Sequence, residues 1–109
     1  MSIPIQKQKL VVIVPKEHPL ASFSSVSLGD TLPYQQIFFS RGSGMRDVID
    51  RMFQKLDGRP RISYETEEDQ VIAGLVAQGF GIAVVPCMDL LWKLDLKFVL
   101  EMSLKNMKN

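Results

Sequence analysis

The sequence holds a single cysteine, Cys87, and a single histidine, His18, among 109 residues. A lone cysteine excludes an internal disulfide and fits a reducing compartment. One cysteine with one histidine makes no soft-metal cluster. An excess of one charge is missing too. Thirteen basic side chains against twelve acidic ones leave +1, without the basic stripe that nucleic-acid binding by these residues would need. No apolar run approaches the roughly 18 residues of a membrane helix. The start "MSIPIQKQK" lacks the apolar core of a signal peptide. These absences lead us to expect a soluble, cytoplasmic protein with no membrane partner, no metal and no cofactor.

What is present is an ordinary globular composition, 46% apolar and 23% charged. The length fits one domain over residues 1–109, with its core over about 9–100. "KLVVIVP" (residues 9–15) is a short β-branched run bounded by charge and proline, and reads as a buried strand. Residues 16–35, rich in Pro, Ser, Gly and Asp, read as a loop with at most one helical turn. "QIFFS" (36–40) is a second buried strand.

The clearest helix spans residues 44–56. Met45, Val48, Ile49, Met52, Phe53 and Leu56 form one stripe, Ser43 is its N-cap, and Gly58 and Pro60 stop it. "RISYET" (61–66) alternates, with Ile62, Tyr64 and Thr66 on one face, and reads as a strand. Thr66 through Asp69 look like a capping-box start for a helix burying Val71, Ile72, Leu75 and Val76. "GIAVVP" (81–86) is a strand, "CMDLLWKLD" (87–95) a short helix and "LKFVL" (96–100) a final strand. Strands alternating with helices imply parallel pairing and right-handed crossovers. The expected fold class is α/β: a three-layer α/β/α lobe with a mainly parallel sheet.

Ligands in such sheets sit at strand carboxyl ends beside helix N-termini. The turns "SRGSG" (40–44) and "YETEED" (64–69) qualify. "GSGMRD" has Asp47 where a dinucleotide fingerprint needs its third glycine. Met45 and Arg46 stand where a Walker A loop needs Lys and Ser or Thr. Arg41 stands where a nucleophile elbow needs glycine before Ser43. No nucleophile lies beside a base, so no enzyme activity is expected. His18, before Pro19, reads as structural or solvated, and Cys87 as a packing residue. Glu67, Glu68 and Asp69 read as complements to a helix dipole. Ser40, Arg41, Ser43 and Thr66 admit two readings. They cap and shape turns, or they form a polar half-site for a small anion.

At this point the chain resembles a known family. "LVVIVPKEHPLASFSSVSLGDTL", "IFFSRGSGMRDVIDRMF" and "RISYETEEDQVIAGLVAQGFGIAVVP" resemble, contiguously and in order over about residues 9–86, the effector domain of LysR-type transcriptional regulators. The last segment carries that family's "lV-x-x-G-x-G-I-a-x-x-P" pattern. The resemblance implies one lobe, the second, of a two-lobed domain similar to type 2 periplasmic binding proteins. It implies a small-molecule effector between the lobes. DNA would be bound only through a winged helix absent from this chain, as is most of the first lobe.

Carried over by position, Ser40, Arg41, Gly42 and Ser43 would face the ligand cleft, as would Thr66. Phe80, Gly81 and Ile82 would lie near its rim. The resemblance also implies a homodimer using the helix over 44–56 and the strand Arg61–Thr66. A solute-binding or enzyme-like small α/β domain of the same architecture is the alternative, since fold does not imply function.

Overall fold

The computed structural model describes residues 10–86 and the backbone of residues 98–103. The expected short helix over 87–95, and Cys87 with it, lies outside the described residues.

Strand β1 (Leu10–Val14) is the centre of a four-stranded sheet. It pairs antiparallel with β5 (Ala83–Pro86), Val12 opposite Val84, and with β6 (Phe98–Ser103), Val12 opposite Leu100. On the far side of β6 runs a short parallel strand, β2 (Ser25–Ser27). A second ladder pairs β3 (Gln35–Phe39) with β4 (Arg61–Thr66) in parallel. One parallel bridge joins the ladders: Ile37 N–H donates to the Ile82 carbonyl at 2.9 Å, and Ile82 N–H to the Gln35 carbonyl at 3.0 Å.

The architecture is α/β, as expected, but the sheet is mixed. β3 and β4 are parallel because one helix joins them and a crossover returns the chain in the same direction. β1 and β5 are separated by two such units, so strand–helix alternation does not set their relative direction.

Helix α1 (Gly44–Phe53) starts where Ser43 Oγ accepts the Arg46 amide at 3.0 Å. Ile49 and Phe53 are buried, and the Phe53 ring lies 5.7 Å from that of Phe38 on β3. The helix ends three residues before Leu56. Lys55 and Leu56 instead make tighter bonds to the carbonyls of Met52 and Phe53.

Helix α2 (Asp69–Ala77) buries Ile72, Ala73 and Val76. Val71, expected inside, is 41% exposed. The helix begins later than the capping-box pattern implies. Thr66 Oγ1 accepts the Glu68 amide at 3.3 Å, so Thr66 caps the turn before α2 rather than α2 itself.

The expected alternation along β4 is broken by a bulge. Gln36 pairs with Ile62 and Ile37 with Tyr64, which leaves Ser63 as the extra residue. Paired residues share a face, and Gln36 and Ile37 point to opposite faces. Ile62 therefore faces α1, while Tyr64 faces α2 and meets Phe80 edge-to-face at 5.9 Å. Thr66 keeps the Tyr64 face.

The segment before β3 has more order than a loop. Two 3-10 turns, Pro19–Ser22 and Leu28–Thr31, flank β2. His18 Nδ1 accepts the Leu20 amide at 3.0 Å, and its ring meets Tyr34 at 4.5 Å. The structural reading of His18 holds, and partial burial lowers its pKa. Gln36, fully buried, donates to the Thr31 carbonyl and Oγ1 at 3.1 and 3.0 Å, which ties β3 to the preceding turn.

Candidate functional site

The carboxyl ends of β3 and β4 lie side by side. Phe39 pairs with Thr66, and the Ser40 amide donates to the Thr66 carbonyl at 2.9 Å. The chain leaves β3 through residues 40–43 into α1, and leaves β4 through residues 67–68 into α2. Two helix starts therefore follow from one sheet edge. The Gly44 and Met45 amides, in the first turn of α1, have no acceptor within the helix.

The turn itself is tight. Ser43 N–H donates to the Ser40 carbonyl at 3.3 Å. Gly42 has φ +94°, in the left-handed region, where a side chain is strained although a Cβ would meet nothing within 4 Å. Arg41 is exposed, while Ser40, Ser43 and Thr66 are half-buried. Ser43 spends its hydroxyl acceptor on the Arg46 amide, so its capping role is real.

Charge is unequal across the corner. Arg41 stands in the turn leading to α1. The α2 start carries Glu67, Glu68 and Asp69, which with Gln70 line a shallow hollow of about 370 Å³. An anion is therefore favoured at the α1 side and repelled from the α2 side.

Five of the eight expected site residues, Ser40, Arg41, Gly42, Ser43 and Thr66, gather at this edge. Phe80, Gly81 and Ile82 do not. Ile82 is bonded to Gln35 and Ile37, at the opposite end of β3. Four residue steps separate Gln36 from Ser40, about 13 Å at the usual strand rise. Ile82 is also fully buried. At Gly81 a Cβ would come within 2.8 Å of the Gln35 carbonyl oxygen, so glycine is needed there for close backbone packing. The "GFGI" turn returns the chain from α2 to β5 and is placed where parallel topology requires, at the strand amino ends.

Sequence reasoning passed over Arg46. It is 5% exposed. Its Nε donates to both carboxylate oxygens of Asp50, at 2.9 and 3.1 Å, and Nη1 donates to the Phe39 carbonyl at 2.8 Å. Nη1 also lies 3.4 Å from Glu65, and the guanidinium carbon is 5.0 Å from the centre of the Phe38 ring. The i,i+4 spacing of Arg46 and Asp50 was the available signal. A separate groove of about 580 Å³ opens beyond it, lined by Asp50, Phe53, Leu56, Arg59, Pro60 and Ile62 among others.

Among the described residues no group of three or more His, Cys, Asp or Glu could hold a metal ion, and no helix is long and apolar enough to cross a membrane.

Known proteins share this fold. The LysR substrate binding domain family matches residues 2–95. The uncharacterized HTH-type transcriptional regulator YybE of Bacillus subtilis (strain 168) is 37% identical over 84 residues, which are 77% of this chain and 29% of YybE. The effector binding domain of QuiR, solved in complex with shikimate, is 39% identical with a TM-score of 0.85, over 94% of this chain and 47% of that one. The BenM effector binding domain with its effector benzoate is 27% identical with a TM-score of 0.75, over 92% of this chain and 47% of that one. The chain thus matches about half of each of these two effector domains.

Proposed function

The chain belongs to the LysR substrate-binding domain family, and from that premise we propose that it is the ligand-sensing lobe of a LysR-type transcriptional regulator. Its ligand is a small anionic metabolite seated against residues 40–43 and Thr66. The observation that carries this reading is the 2.9 Å bond from the Ser40 amide to the Thr66 carbonyl, which brings both turns to one edge. The charge distribution orients the ligand. A carboxylate or similar group meets the Gly44 and Met45 amides and Arg41, while neutral or hydrogen-bond-donating parts face Glu67 and Glu68.

In this reading a first lobe closes the cleft from the other side, and DNA is contacted by a winged helix elsewhere in the regulator. The protein works in the cytoplasm. Self-association uses α1 and β4, whose outward residues include Ile62, 39% exposed. YybE is named a transcriptional regulator and the QuiR and BenM structures are effector binding domains, which favours a sensor over an enzyme.

The test is a thermal-shift screen of small carboxylates, including shikimate and benzoate, on the two-lobed domain, followed by titration of a hit against Ser40→Ala and Thr66→Val. Weakened binding in both variants supports the reading. Unchanged affinity in both removes this corner as the site.

A further inference from the structure

We propose that Arg46 is a positioning residue for the effector corner, setting the shape of the turn over residues 40–43 from beneath without touching the ligand. The proposal rests on the corner being the ligand site. The turn is tied to Arg46 at both ends. At its start, the guanidinium holds the Phe39 carbonyl at 2.8 Å; at its end, Ser43 Oγ accepts the Arg46 amide at 3.0 Å.

The peptide joining Phe39 to Ser40 is therefore held on two sides. Its carbonyl goes to Arg46 on α1, and its N–H goes to the Thr66 carbonyl at the end of β4. The same guanidinium reaches Glu65, the residue before Thr66, at 3.4 Å. One side chain thus joins the helix start to both strand ends that carry the corner.

A simple packing role does not account for this choice of residue. Desolvating a charge to 5% exposure is costly, and an apolar side chain of similar length would fill the space without that cost. An apolar side chain could not donate to Phe39. Asp50 answers the charge through both carboxylate oxygens and fixes the guanidinium plane. Lysine could not reproduce the arrangement, because one ammonium cannot offer Nε and Nη1 in a fixed fork. Rotation of the Phe39–Ser40 peptide would swing Ser40 and Arg41 together, so loosening Arg46 changes the corner as a unit.

The test is amide hydrogen exchange on this chain, comparing Ser40 with Ile37. The Ile37 amide is bonded to Ile82 at the other end of β3 and reports general opening. In Arg46→Met, protection at Ser40 should fall by about tenfold or more relative to Ile37, the scale of losing a charge-assisted hydrogen bond. Asp50→Asn, which loosens the guanidinium and leaves the core intact, should give a smaller fall of the same sign. It keeps the question decidable if Arg46→Met does not fold.

A structural role alone would lower both amides in step, and an unchanged Ser40-to-Ile37 ratio in the variants overturns the proposal. Inorganic sulfate and shikimate, titrated against the same proteins, provide the second readout. Weaker binding by the variants supports the claim, and a fallen ratio with unchanged binding overturns it. Wild-type protein that binds neither probe counts against the proposed function, while the exchange ratio alone still decides whether Arg46 positions the turn.

Discussion

The amide of Ser40 and the carbonyl of Thr66 meet at 2.9 Å, and this contact joins the two turns that follow β3 and β4. It uses backbone atoms only, so it does not depend on the Thr66 side chain. Thr66→Val should keep it and lose only the 3.3 Å contact from the Glu68 amide. Stability by urea denaturation should change by no more than about 0.5 kcal/mol. Effector affinity should fall by about threefold or more if the hydroxyl meets the ligand. A large loss of stability with unchanged affinity would make Thr66 a structural residue only.

Two glycines should separate packing from binding. Gly81→Ala places a Cβ 2.8 Å from the Gln35 carbonyl and should cost about 1–3 kcal/mol. Affinity per folded molecule should stay unchanged, because Gly81 lies at the far end of β3. Gly42→Ala meets no clash but is strained at φ +94°, at a cost of about 1–2 kcal/mol. It should also weaken effector binding by distorting the turn. Calorimetric titration beside urea denaturation reads both effects. Loss of binding in Gly81→Ala beyond its loss of folded protein would return the "GFGI" turn to the site.

Much of this part of the fold is legible in the sequence because its signals are local. "RISYET" matches β4 residue for residue, and Ser43 is the N-cap that its place before the apolar stripe implies. What sequence reading missed depends on contacts made across the fold. The Ser63 bulge exists only in the pairing of β4 with β3, so plain alternation wrongly placed Ile62 beside Tyr64. β2, at three residues, is a strand because β6 lies alongside it.

The direction of β1 was hidden for the same reason. Val71 looked like a core residue because it is apolar and adjoins Ile72, yet its position on the helix turns it to solvent. At the candidate site, position along the chain could not show that Phe80–Ile82 and Ser40–Ser43 occupy opposite ends of one strand. That separation follows only once Ile82 is paired with Gln36.

His18 makes stability pH-dependent. Partial burial holds its folded-state pKa below the ordinary imidazole value, so the unfolded chain binds the proton more readily. Stability should be full above the unfolded pKa, about 6.5, and decline as pH falls through and below it. Protonation also removes Nδ1 as acceptor for the Leu20 amide. His18→Asn keeps a capping acceptor without a titrating group. Its thermal midpoint should lose the part of the decline below about pH 6.5 that wild type owes to His18. Identical slopes in the two proteins would contradict this assignment.

Self-association should depend on the α1 and β4 surface. Ile62 faces α1 and borders the groove formed with Phe53, Leu56 and Pro60. Sedimentation of the chain at high concentration should show a dimer, and Ile62→Lys should shift it toward monomer by burying an unpaired charge at the contact. A wild-type monomer at all concentrations, or an Ile62→Lys dimer as tight as wild type, would show that this surface is not the interface.

The most direct test of the central claim is an amide chemical-shift titration of this chain with shikimate, benzoate and sulfate, carried to tens of millimolar because a lone lobe leaves half the ligand in water and binds weakly. Shifts concentrated on residues 40–45 and 66–68, saturating with added ligand, are the predicted result. Shifts confined to the groove around Phe53 and Ile62, to the "GFGI" turn, or to no residues at all would contradict it.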